Sequence, residues 1–424
     1  MKKILSILMV ISVFLPSLLW AQRVHIDIEA RGFKRMKAAM PAFAGPRELA
    51  DPLWAQCAKD LEISGAFSLL DPKGYINPGP IGSIEPGTLK DWSLIGADYV
   101  IAARAERRGA MVSLMVQVVE LSTTRVVLST AYTTKSETMY RAVHAFMDAL
   151  MQKSLGLEPI FSSKIVAVQK VGNKKQLYVQ WCDGTGGAAI KGGGDLVLNP
   201  SWSPDAGKIA FVSYWRNNPD LYILDLPTYK VELLSSHKGL NVTPCFDPTG
   251  GKIAYTLSKD GDPEIYLSSL SGGEPQRLTK SWATDTSPSI SPDGRTLAFC
   301  SSRAGTPQIY LMDLGTRKVE RLTFQGTNNS EPVFSPKGDM VAFIHLAEDR
   351  RFHIALIKTD GTRMKVLPGT GRGDESPTFS PDGRLVAFTS SDGNIYITDF
   401  LGVSPVKVTE GGGFTEPCWS RLIK

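Results

Sequence analysis

Five histidines, five cysteines and a few closely spaced carboxylates are the residues of this 424-residue sequence from which chemistry could be built. His25, His144, His237, His345 and His353 are scattered, and no two share the short spacing of a metal-ligating pair such as H-E-x-x-H. No G-x-S-x-G segment offers a nucleophile on a strand-to-helix elbow. "SKDGDPE" (Ser258–Glu264) sets Asp260 and Asp262 two apart, as in some calcium loops, but the further acidic positions are missing and it reads as a β-turn. "GTGGAAIKGGGD" (Gly184–Asp195) is glycine-rich, yet it lacks the closing Gly-Lys-Ser/Thr of a phosphate loop and reads as a flexible hairpin. Cys57, Cys182, Cys245, Cys300 and Cys418 contain no C-x-x-C pair, and their odd number leaves at least one thiol unpaired. They are expected as small buried hydrophobes. No catalytic residue, cofactor or metal site is therefore expected. Except at His237, each histidine is expected as a surface or internally satisfied ring.

The bulk composition narrows the class. Hydrophobic residues make up 42% and charged residues 21%, ordinary values for a globular protein. Formal net charge is +5, and no basic stripe points to nucleic acid. Lys2 and Lys3, the apolar run Ile4–Leu15, and Leu19-Trp20-Ala21 after Pro16 read as a secretory signal cleaved near Ala21. The run is shorter than the roughly 20 residues of a membrane span, and no Cys follows the cleavage site to carry a lipid. The expectation is an exported, periplasmic, monomeric protein without direct membrane insertion.

The elements that would position any site come from a repeat. Pro200, Pro244, Pro288, Pro332, Pro377 and Pro417 open near-identical segments at steps of 44, 44, 44, 45 and 40 residues. That period, with β character throughout, indicates a propeller. Each copy carries a large apolar residue two places after the proline: Trp202, Phe246, Ile290, Phe334, Phe379 and Trp419. A turn of "SPDG" type follows, and then strands such as "TLAFCS", "QIYLMDL" and "KVERLT". Four strands per copy make a blade. The last copy holds one strand, while Ser163–Gly193 supplies three without a first. The two ends are expected to complete one split blade, giving six blades and no open sheet edge.

Residues before the repeat form something else. Leu49, Leu53, Cys57 and Leu61, spaced by four, predict a helix within Arg47–Gly65. "ADYVIAARAE", "MVSLMVQVVEL" and "RVVLSTAYT" predict strands, and a helix is predicted from about Ser136 to Leu155, stopped by Gly156. The expected domains are a signal over 1–21, a small α/β domain with an N-terminal arm over 22–158, and the propeller over 159–424. "GLEPIFSSK" reads as a hinge between the last two. The arm's "VHIDIEA" alternates apolar and polar residues, as an edge strand or a strand added to a partner's sheet would.

This order of parts, with "GADYVIAARAE…VSLMVQVVELSTTRVVLSTAYT" before the "SPDG…IAF…IYLMDL" repeats, resembles the TolB family of the periplasmic Tol–Pal envelope system. The resemblance runs over essentially all of Gln22–Lys424. It implies a non-enzymatic scaffold that binds the OmpA-like domain of the peptidoglycan-associated lipoprotein at the propeller mouth, and TolA through the arm. Such a protein would maintain outer-membrane integrity and support constriction at division. The matching mouth loops put the lipoprotein-binding residues at His237 and Thr243, at Asp285, Thr286 and Ser287, at Asn329, Ser330 and Glu331, at Glu375 and Ser376, and at Thr415 and Glu416. In the arm, Val24, Ile26 and Ile28 would meet TolA. A propeller binding a glycan or other small ligand in the same funnel is the competing expectation.

Overall fold

The structure, a computed structural model, describes residues 35–76, 79–400 and 405–423. The signal, its cleavage near Ala21 and the arm residues Val24, Ile26 and Ile28 lie outside the described residues.

The N-terminal domain runs β1 (Met36–Ala39), α1 (Arg47–Ile63), β2 (Phe67–Leu69), α2 (Leu89–Leu94), β3 (Tyr99–Arg108), β4 (Met111–Glu120), β5 (Arg125–Lys135) and α3 (Tyr140–Leu155). Its sheet has the order β2-β1-β3-β4-β5. β1 is parallel to both neighbours, while β3, β4 and β5 form an antiparallel meander. Leu49, Leu53, Cys57 and Leu61 are all buried, because residues four apart share one helix face. Gly156 closes α3 in the left-handed conformation at φ 66°; its N–H bonds to the Gln152 carbonyl, and the Leu157 N–H to the Met151 carbonyl. The helix predicted from Ser136 starts instead at Tyr140, after a 3-10 turn over Ser136–Thr138. The short β1, β2 and α2 were not anticipated, since three to six residues carry too little periodicity.

Six four-stranded antiparallel sheets follow. Five take consecutive strands, within 197–235, 241–277, 285–321, 329–366 and 374–407. The sixth joins β6 (Lys164–Val171), β7 (Lys174–Trp181) and β8 (Ala188–Ile190) to an innermost strand supplied by Phe414–Trp419. That strand pairs Phe414 with Gln169 and Trp419 with Ile165. Aromatic side chains such as Phe211, Phe299, Phe343 and Phe388 are fully buried between blades. Outermost strands shrink to two residues at Gln276–Arg277, Lys365–Val366 and Val406–Lys407. A very short outer strand presents little free edge for unwanted pairing.

The segment expected as a hinge is instead fastened. Leu157, Ile160 and Phe161 are buried. The Asp148 carboxylate accepts the backbone N–H groups of Ile160, Phe161 and Ser162 at 2.9, 2.8 and 3.0 Å. One apolar cluster passes from α1 and α3 through this connector to Leu385, Ile397, Phe414 and Trp419 of the propeller. Arg35 pairs with Asp399 at 2.6 Å, and the Arg384 guanidinium donates to the Ser64 carbonyl at 3.1 Å. Arg384 lies in the turn before a blade strand and Asp399 ends the strand beside it, opposite Leu385, so both contacts fall at the same end of one blade.

Candidate functional site

The first strand of every blade lines a central channel of about 510 Å³. Each carries the same irregularity. Asn199, Thr243, Ser287, Glu331, Ser376 and Glu416 have φ of 48°, 52°, 53°, 50°, 53° and 54°, and each precedes the blade's proline. The pairing with the second strand slips at these points. A left-handed non-glycine residue costs of the order of 1–3 kcal/mol and persists only where its surroundings impose it. Here the β-bulge re-aims one side chain per blade into the channel. All six residues line it, together with Glu375 and Thr415.

The ring is cross-braced from blade to blade. Glu416 accepts the Asn199 side-chain amide at 3.1 Å and also its backbone N–H. Thr243 hydroxyl meets Thr256 hydroxyl at 2.8 Å, and Thr256 hydroxyl accepts the Ser287 N–H at 3.3 Å. Ser376 hydroxyl donates to Glu331 at 3.0 Å. The mouth is thus held rigid by the groups that line it, which lowers the ordering cost of docking a folded partner.

Three carboxylates crowd this mouth. Glu331 lines the channel, and desolvation by the protein crowded around it pushes its carboxyl up to about 7. The Ser376 hydrogen bond opposes that rise, while the charges of Glu416 and Glu375 add to it. Burial raises Glu416 as well, against its bond to the Asn199 backbone. The Glu331 carboxyl therefore binds protons more readily folded than unfolded, where it titrates near 4.3. Wild-type stability should fall, relative to Glu331→Gln, as pH rises from about 4.3 to about 7, and the gap should then stay constant. Melting temperatures of both proteins across that range test this; a gap that is flat with pH removes the raised carboxyl.

The residues expected at the mouth divide. Thr243, Ser287, Glu331, Glu375, Ser376, Thr415 and Glu416 face the channel. Asp285 and Asn329 do not line the channel: both are fully buried at the start of their strands. Asp285 bonds to Arg303 at 2.7 Å, and Asn329 donates to Gln308 and Gln325 and meets His345 at 2.8 Å. The polar composition of these loops concealed that half of it serves to anchor them. Thr286 and Ser330 are half-buried ladder residues, opposite Cys300 and Ile344. His237 lies away from the channel, with its backbone clamped by Asn241 and Asn218.

Two features escaped the sequence reading. Trp282 and Phe324, 77% and 73% exposed, stand on the loops entering the strands at Asp285 and Asn329. Trp215, 55% exposed, stands at the same end of the blade over 197–235. Outside the repeated motif, single aromatics gave no signal. The second feature is a buried group of Asp60, His144 and Asp183, brought together from three distant segments. The five cysteines are all free.

Two family descriptions match the chain: a TolB amino-terminal domain over residues 24–125 and a TolB beta propeller domain over residues 152–423. A curated relative, the Tol-Pal system protein TolB of Paramagnetospirillum magneticum, is 31% identical over 228 residues, 51% of this chain and 50% of that protein. The chain thus spans about half the length of the curated relative it matches. Among solved structures, TolB from Acinetobacter baumannii is similar with a TM-score of 0.81 and 28% identity, covering 92% of this chain and 97% of that one.

Proposed function

The chain belongs to the TolB family, and from that premise we propose that it is a non-enzymatic scaffold of the periplasmic Tol–Pal system. Its propeller mouth binds the OmpA-like domain of the peptidoglycan-associated lipoprotein. Its N-terminal arm, over residues 22–35, binds TolA. Held between the two, it helps maintain the outer membrane and couples it to constriction at division.

The observation that carries this reading is the braced ring of six left-handed residues lining the channel. Rigid polar groups lining the channel, with exposed aromatics on the loops beside it, suit a folded, partly polar protein surface. A sugar-binding funnel would need exposed aromatic platforms along the channel, but Trp202 and Trp419 are only 7% and 6% exposed there.

Calorimetric titration with the lipoprotein's OmpA-like domain from the same organism tests the proposal. Saturable binding with one site per chain, lost on Glu331→Arg, is the expected result. Absence of heat and of co-migration on gel filtration at high concentration of both proteins would overturn it.

A further inference from the structure

The group of Asp60, His144 and Asp183 lies away from the mouth. Asp60 comes from α1, His144 from α3, and Asp183 from the turn between β7 and β8 of the split blade. The three are 0%, 3% and 0% exposed. His144 Nε2 is 2.9 Å from Asp183 Oδ2 and 4.0 Å from Asp60 Oδ2. One potential donor atom from each residue lies within 4.8 Å of the others. Among the described residues, Asp60 Oδ2 has no hydrogen-bond partner although it is fully buried. A polar oxygen in that position costs folding free energy unless something binds it.

Charge points the same way. Asp148, also buried, adds its field to Asp60, but its own oxygens are taken by the connector. Two carboxylates against one imidazole leave a negative excess in a dry site even when the ring is protonated. Gln56 already relieves part of it, donating its amide to Asp60 Oδ1 at 2.8 Å and to Asp183 Oδ2. A dication would neutralise two carboxylates and leave the imidazole uncharged.

We propose that Asp60, His144 and Asp183 form a divalent-metal site, filled by zinc, that fastens the N-terminal domain to the propeller. Tetrahedral zinc with bonds of about 2.0–2.2 Å holds its donors about 3.4 Å apart, and the observed 2.9 and 4.0 Å straddle that separation. An imidazole nitrogen beside two carboxylates suits zinc better than calcium or magnesium, which prefer all-oxygen shells. Gln56 becomes the fourth ligand by turning its amide so that Oε1 faces the cation. Because the ligands come from both domains, the ion would tie them directly.

The experiment uses tag-free, chelator-stripped protein titrated with zinc chloride. Bound metal per chain is read by plasma mass spectrometry after gel filtration, and the melting temperature by calorimetry. The wild type is expected to hold one zinc per chain and to melt higher with it. Asp60→Asn, near-isosteric and able to fold, should weaken zinc binding at least about tenfold, and His144→Ala should abolish it and the thermal gain. If His144→Ala does not fold, Asp60→Asn decides the matter alone. Less than stoichiometric zinc in the wild type, or unchanged affinity in folded Asp60→Asn, overturns the proposal. The second result would place any bound zinc away from Asp60.

Discussion

A chain lacking Glu416–Lys424 is expected to melt far below the full-length protein and to lose its single cooperative transition. The deletion removes most of the strand that pairs with β6 and leaves one blade without its innermost member. Trp419, 6% exposed, loses its place together with the bond from its indole N–H to Ser163 hydroxyl at 2.7 Å. The Trp202 indole loses its acceptor, the Cys418 carbonyl, at 3.0 Å. Glu416 no longer braces Asn199. Removing one buried Trp side chain typically costs about 3–5 kcal/mol, against a total stability of about 5–15 kcal/mol for a domain. Trp419→Ala isolates that part and should cost about 3–5 kcal/mol by itself. Scanning calorimetry of both variants decides: a truncated chain melting cooperatively at the full-length temperature would mean that the ring does not depend on this closure.

The second large effect is on binding. Trp282→Ala should weaken the lipoprotein domain's affinity by about 30-fold or more and leave the melting temperature unchanged. Trp282 is 77% exposed in the free protein, so truncating it removes almost no internal packing. Exposed indoles that become buried against a partner can act as hot spots carrying about 2 kcal/mol or more of binding free energy, and each 1.4 kcal/mol is about tenfold in affinity. Phe324, on the next blade, should follow with a smaller loss. The same titration measures both. Unchanged affinity in Trp282→Ala would move the interface inward to the carboxylate ring. A drop in melting temperature equal to the loss in affinity would mark the loop as structural.

Much of the fold is legible without coordinates because a blade is a local object. The proline ruler, the apolar residue two places on and the "SPDG" turn recur within a few residues of each other, and strand alternation is a property of neighbours. The split blade is legible too, since the copy at Pro417 carries one strand and Ser163–Gly193 carries three, and the two pair as one sheet. The helices over Arg47–Ile63 and Tyr140–Leu155 show by apolar residues spaced three or four apart. The family follows from the order of these parts.

Other properties depend on which surfaces meet. Composition marked the loops before each first strand as polar, but burial divided them. Asp285 and Asn329 turn inward to anchor, while Glu331 and Ser376 turn into the channel at a bulge. "GLEPIFSSK" has the glycine and proline of a linker, yet Asp148 and a shared apolar core fix it in place. Asp60, His144 and Asp183 are separated by 84 and 39 residues, and no spacing rule joins them. The sequence by itself determined the periodic framework and its closure, because period and turn chemistry are written over short distances. Only the tertiary structure decided which polar residues face a partner, which anchor a loop and which share a buried site, because burial and proximity are set by segments distant along the chain.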